Sequence, residues 1–143
     1  MIRQVTPVRV RYADTDQMRM VYYGKFFEYF EQGRADLLRS VGLPYGQIEE
    51  MGLYLPVIEA HAAYRRPARY DDLLMVITIL RQMPLARVRI DYEVFRDHES
   101  DLLAEGYTVH VFVDASSGKP TRAPAQFLGA IESRMNASGA TKH

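Results

Sequence analysis

The chain has 143 residues, and its 18 lysines and arginines are balanced by 18 aspartates and glutamates, giving a formal net charge of zero. That balance excludes a global field that would gather nucleic acid, so any basic site must be local. Cysteine is absent, which excludes disulfides, thiolate metal sites and a cysteine nucleophile, and fits a reducing compartment.

Met1-Ile2-Arg3-Gln4 enters a strand without an apolar stretch of signal-peptide length, and no apolar run approaches the ~20 residues that span a bilayer. The chain therefore reads as soluble and cytoplasmic. Val8-Arg9-Val10-Arg11-Tyr12 alternates as a strand, and Asp14-Thr15-Asp16 closes it and opens onto an aromatic helix starting near Tyr23. From Gly24 to Val41 the apolar residues Phe26, Phe27, Phe30, Leu37, Leu38 and Val41 recur at helical steps, and Gly42 supplies the stop. Gly33 falls in that apolar stripe, at a cost of about 1 kcal/mol relative to alanine, and predicts a close approach of the helix backbone to a sheet.

Past a turn-rich stretch around Pro44-Tyr45-Gly46, strands are predicted at 55–64, 73–82, 86–95 and 102–114, punctuated by Pro67, Pro84 and Gly118-Lys119-Pro120. A terminal helix is expected over 124–135. The order defines an α+β fold, one long helix against a five-stranded antiparallel sheet, with a single domain over residues 1–135. Residues 136–143 are small and polar and read as a flexible tail. One helix cannot cover both faces of such a sheet. The second apolar face, suggested by residues 73–80 with Tyr107, Val109, Val111 and Val113, therefore predicts self-association into a homodimer or homotetramer.

Asp14 and Asp16 sit where a helix N-terminus collects unpaired backbone N–H groups. Such an end can hold a developing oxyanion while a nearby carboxylate acts as nucleophile or base, a geometry suited to acyl transfer. Taken alone, the pair also fits a turn residue and a solvated loop acid. A calcium loop does not fit, since its glycine position holds Arg19 and its bidentate glutamate position holds Lys25. Tyr22-Tyr23-Gly24 offers aromatic packing at the helix entry, and the backbone N–H of Tyr23 or Gly24 could donate to a carbonyl oxygen whatever the side chain. Arg65-Arg66-Pro67-Ala68-Arg69, with Lys119 and Arg122 in a later loop, reads either as a solvated rim or as a site for a phosphorylated nucleotide handle. No long basic stripe indicates nucleic acid, and His61, His98, His110 and His143 lack metal-ligand spacing, so neither a metal nor a cofactor is expected. His110 lies in a strand whose neighbours suggest simple packing.

Taken together, Tyr12-Ala13-Asp14-Thr15-Asp16, Val21-Tyr22-Tyr23, Phe27-Glu28-Tyr29-Phe30-Glu31 and Tyr64-Arg65-Arg66-Pro67-Ala68-Arg69-Tyr70-Asp71-Asp72 resemble the hotdog-fold acyl-CoA thioesterases of the 4-hydroxybenzoyl-CoA thioesterase type. The resemblance implies a sheet wrapped around the central helix, a second copy, and active sites at subunit interfaces. It places nucleophile or general base on Asp16, the carbonyl-polarising N–H on Tyr23, a structural role on Asp14, and CoA phosphates near Arg65, Arg66 and Arg69. Many relatives carry glycine where Arg19 stands, and many carry histidine where Tyr23 stands. Others place the working carboxylate on the central helix, which makes Glu28 and Glu31 competitors of Asp16. The Asp-then-His pair of hotdog hydratases finds only Arg19 and Val21 in place of its histidine. A non-catalytic acyl-CoA-binding protein is the alternative from another class.

Overall fold

A computed structural model describes residues 1–140. The first strand, β1 (Ile2–Arg9), leads through a short turn at Tyr12–Asp14 to the long helix α1 (Lys25–Ser40). There follow α2 (Tyr45–Glu50), β2 (Leu53–Tyr54), β3 (Val57–Tyr64), β4 (Leu73–Leu80), β5 (Arg87–Arg96), β6 (Leu102–Asp114), β7 (Pro120–Thr121) and α3 (Ala125–Ala140). The strands form one antiparallel sheet in the order β1-β4-β5-β6, with β3 and β2 along one side of β6 and the two-residue β7 on the other. This is the hotdog arrangement, with five long strands.

Four local readings differ from the structure. The first strand starts at Ile2 and ends at Arg9, because Val10 turns away to exchange backbone hydrogen bonds with Asp71 and Asp72. The stretch after Pro44 winds into α2, burying Ile48. The two-residue strands β2 and β7 are too short for alternation to reveal. The last helix runs on through Ala140, and of the expected flexible tail residues 141–143 lie outside the described residues.

α1 buries Phe26, Tyr29, Phe30, Gly33, Arg34, Leu37 and Leu38 against the sheet. Gly42, with φ at +82°, ends it: Leu43 N–H donates to Leu38 and Gly42 N–H to Arg39, the paired bonds that close a helix around a left-handed glycine. A Cβ at Gly33 would collide with the Thr78 hydroxyl and crowd Val76, so the helix backbone lies directly on β4 as the glycine predicted. α3 joins the same core, its Phe127 ring 4.9 Å from Phe112.

The sheet face away from α1 is less apolar than expected. Ile77 and Ile79 are buried within the single chain, yet their cross-strand neighbours on β5 are Glu93 and Asp91. Asp91 pairs with Arg81 and Arg89, and the Arg89 guanidinium lies 3.9 Å from the Tyr107 ring centroid. That face is a charged surface with apolar islands. The outer strand β3 also carries exposed apolar side chains, Val57 and Ile58 being 45% and 47% exposed.

Candidate active site

The segment between β1 and α1 folds back on itself. Thr15 bridges Val21, Asp16 N–H donates to the Met20 carbonyl, and Tyr22 N–H donates to the Asp14 carbonyl at 2.9 Å. Arg19 takes a φ of +63° at the tip of this arch, a conformation that costs an L-residue roughly 1–2 kcal/mol and that glycine would adopt freely. The arch therefore keeps a glycine-type turn although an arginine occupies it.

Within the arch the two aspartates part company. Asp14 is 2% exposed and fully engaged: Oδ2 accepts from Arg11 N–H at 3.1 Å and Tyr29 O–H at 2.9 Å, and Oδ1 accepts from the Arg11 guanidinium at 3.2 Å. Burial raises its pKa, but the Arg11 backbone bond, the Tyr29 hydroxyl and the Arg11 charge outweigh it and hold the carboxyl below the usual carboxylate range. Asp16 is exposed; its Oδ1 accepts from Met18 N–H at 2.8 Å and Met20 N–H at 3.3 Å, while Oδ2 accepts no hydrogen bond among the described residues. One carboxylate is thus consumed by the fold and the other is held by one oxygen with the second open.

α1 starts at Lys25, two residues later than the sequence indicated, and Tyr23 and Gly24 form the turn before it. Lys25, Phe26 and Phe27 donate their N–H groups to the carbonyls of Tyr22, Tyr23 and Gly24. Among the described residues the N–H groups of Tyr23 and Gly24 have no acceptor, and they stand at the positive end of the helix dipole.

Asp16 and Tyr23 line a common cleft of about 350 Å³. Its apolar wall includes Val21, Phe26, Tyr64 and Pro67, and its rim carries Arg65 and Arg66. These arginines are tethered loosely, Arg65 to Glu105 at 3.6 Å and Arg66 to Asp101 at 3.8 Å, so both side chains can turn to an anion. Arg69 does not line the cleft; its backbone bridges Met20 and donates to Asp72 Oδ2, framing the arch from behind. Lys119 and Arg122 are also absent from this lining, Arg122 facing a separate hollow with Leu85 and Leu128. Glu28 pairs with Lys25 at 3.1 Å beside a different hollow, and Glu31 is exposed on α1; neither borders the Asp16 cleft.

Three residues without a predicted role shape the site. The Tyr64 hydroxyl donates to the Tyr23 carbonyl at 3.1 Å, and burial, with Tyr23 nearby, raises its pKa and keeps it a donor. Arg96 clasps the arginine loop, donating to Asp72 Oδ2 and to the Pro67 carbonyl, each at 3.0 Å. Tyr29 supports Asp14. A tyrosine within an apolar helical stripe signals a buried partner for its hydroxyl, and an acid at the helix entry is the nearest candidate. Arg96 gave no comparable signal, since its partners come from distant chain segments.

An open carboxylate oxygen, helix-entry N–H groups, an apolar wall and arginines at the rim thus come together on a hotdog fold. The chain belongs to the Thioesterase-like superfamily, whose family model matches residues 10–131. It is 32% identical to the acyl-CoA thioesterase YbgC of Haemophilus influenzae over 127 residues, 87% of this chain and 91% of that protein. Among solved structures it resembles the DHNA-CoA thioesterase of Staphylococcus aureus, with a TM-score of 0.88 and 26% identity over 100% of this chain and 97% of that one. It also resembles Slr0204, a 1,4-dihydroxy-2-naphthoyl-CoA thioesterase from Synechocystis, with a TM-score of 0.83 and 27% identity over 91% and 96% of the two chains.

Proposed function

We infer that the chain is an acyl-CoA thioesterase that hydrolyses a thioester to free CoA and a carboxylic acid, with Asp16 as nucleophile or general base. The observation that carries this reading is the single cleft shared by the half-free Asp16 carboxylate and the acceptor-free Tyr23 N–H. The thioester carbonyl oxygen accepts from the Tyr23 N–H, which makes the carbon more electrophilic and holds the oxyanion as it forms. Asp16 then either attacks that carbon or takes a proton from the water that does. Collapse of the tetrahedral intermediate breaks the C–S bond and CoA leaves as its thiol. Were Asp16 the nucleophile, water would hydrolyse the resulting acyl-aspartyl anhydride in a second step. The reaction needs no metal or redox group. Arg65 and Arg66 would meet CoA phosphates at the rim, while the backbone of Arg69 braces the arch.

The enzyme works as a homodimer or homotetramer in the cytoplasm. What supports assembly is the edge of β3, which among the described residues pairs only with β6, exposes apolar side chains and ends in the cleft residue Tyr64. A second copy there would close the open side of the cleft. Among the described residues no helix is long and apolar enough to cross a membrane.

The test is thiol release from a panel of aromatic and aliphatic acyl-CoA esters, read without thiol background because the chain has no cysteine. Turnover of at least one ester is expected. Binding of these esters with no turnover of any would favour a non-catalytic binding protein.

A further inference from the structure

Asp14 stands two residues before Asp16 and cannot take its place: it is buried, both its oxygens are occupied, and it borders a separate hollow with Arg9, Glu28 and Gln32. What it does contact is informative. Its side chain reaches Tyr29, one turn into α1, and its backbone carbonyl accepts the Tyr22 N–H, the amide immediately before Tyr23. The following residue, Thr15, is one foot of the arch that holds Asp16, and Val21 is the other. Asp14 therefore joins helix, arch and helix-entry turn at one point. Burial first, then the hydrogen bond to Asp14, pushes the Tyr29 phenol far above its ordinary value, so its hydroxyl remains a donor.

We propose that Asp14 and Tyr29 form a positioning pair that fixes the Asp16 carboxylate relative to the Tyr23 N–H, so that their hydrogen bond contributes to turnover without touching substrate. The inference rests on the thioesterase reading. The physical reason is leverage. Asp14 Oδ2 is held from one side by the arch's own Arg11 and from the other by the Tyr29 hydroxyl of the helix, whose only partner among the described residues is Asp14. Without Tyr29 the carboxylate keeps the donors of Arg11 but loses its hydrogen-bonded registration on α1, leaving only Lys25 at 3.9 Å. A displacement of about 1 Å between reacting groups can cost on the order of 100-fold in rate.

Tyr29→Phe removes the hydroxyl and leaves the packing of the ring against Phe26. In the wild type and this variant we would measure kcat and KM for the best ester of the panel, together with amide hydrogen exchange at Tyr22. The pair predicts kcat lower by roughly 10-fold or more, KM within about twofold, and faster exchange at Tyr22 with β4 and β5 unchanged. Asp16→Asn should give the complementary pattern, kcat lost and Tyr22 exchange as in the wild type. Tyr29→Phe with kcat within about twofold of the wild type, or with Tyr22 exchange unchanged, overturns the positioning role. A wild type that hydrolyses no ester would instead sink the thioesterase reading and the catalytic half of this proposal, while Tyr22 exchange still decides whether Tyr29 holds the arch.

Discussion

Two polar clusters lie against α1, one at its entry and one beneath its middle, and they are finished differently. At the entry, among the described residues, Asp16 keeps an oxygen free and Tyr23 and Gly24 keep free N–H groups, with Asp16 and Tyr23 lining a cleft. Beneath the middle, Arg34 donates to Tyr45 at 2.6 Å and to Tyr92 at 3.1 Å, Tyr92 bonds Thr108 at 2.6 Å, and Thr108 bonds His110 at 2.8 Å. No carboxylate pairs with Arg34 among the described residues, and its side chain is buried. Buried polar groups cost free energy unless they are bonded, and the inner chain meets that cost with mutual hydrogen bonds. The outer cluster keeps its unpaired groups where solvent or substrate can reach them. Satisfaction, more than residue type, separates scaffold from site.

The largest effect on stability is expected in the inner cluster. His110 is fully buried, and its pKa is pushed down to about 4, by burial first and by the Arg34 charge second. The unfolded chain protonates this ring near pH 6.5, so between about 6.5 and about 4 unfolding takes up a proton and stability falls with pH. The loss is complete below the folded value and amounts to roughly 3 kcal/mol. Denaturant midpoints from pH 7 to pH 4 should therefore drop more steeply for wild type than for His110→Gln. Parallel curves would show that the chain from Arg34 to His110 tolerates a proton.

Gly33→Ala sharpens the comparison at the point where helix meets sheet. Alanine gains about 1 kcal/mol of helix propensity, while overpacking a filled core typically costs 1–3 kcal/mol. The Thr78 side chain in its path is β-branched and stiff, so overpacking should win, with a net loss of up to about 2 kcal/mol in chemical denaturation. At the rim, Arg66→Ala should leave stability within about 0.5 kcal/mol and raise KM for a CoA ester by about two- to fivefold. Added salt should shrink that difference, because the arginine is exposed. An unchanged KM would remove Arg66 from the ligand site.

The contrast between the clusters was only half legible in the sequence. Asp14 and Asp16, the helix entry and the arginine loop stand in short segments where spacing carries the chemistry, and Gly33 announced its contact because a glycine in an apolar stripe has few other reasons to be there. The inner cluster was not legible. Arg34 reads as a surface arginine until Tyr45 and Tyr92, from α2 and β5, are brought to it, and His110 in its strand suggested packing alone. A basic run does not say which of its side chains face the cleft: Arg65 and Arg66 line it, and Arg69, also exposed, does not. The expected apolar outer face is only partly apolar, because β4 is apolar on both faces while the alternating β5 sets Glu93 and Asp91 opposite Ile77 and Ile79.

The central claim is that the free oxygen of Asp16 carries the chemistry, and the most direct measurement is kcat for thiol release by Asp16→Asn beside the wild type. The exchange is nearly isosteric and keeps an oxygen for the Met18 and Met20 amides, so melting temperature and oligomeric state should hold. The account expects kcat to fall by roughly 10²–10⁴-fold with the fold intact. Full activity in a folded Asp16→Asn would contradict it.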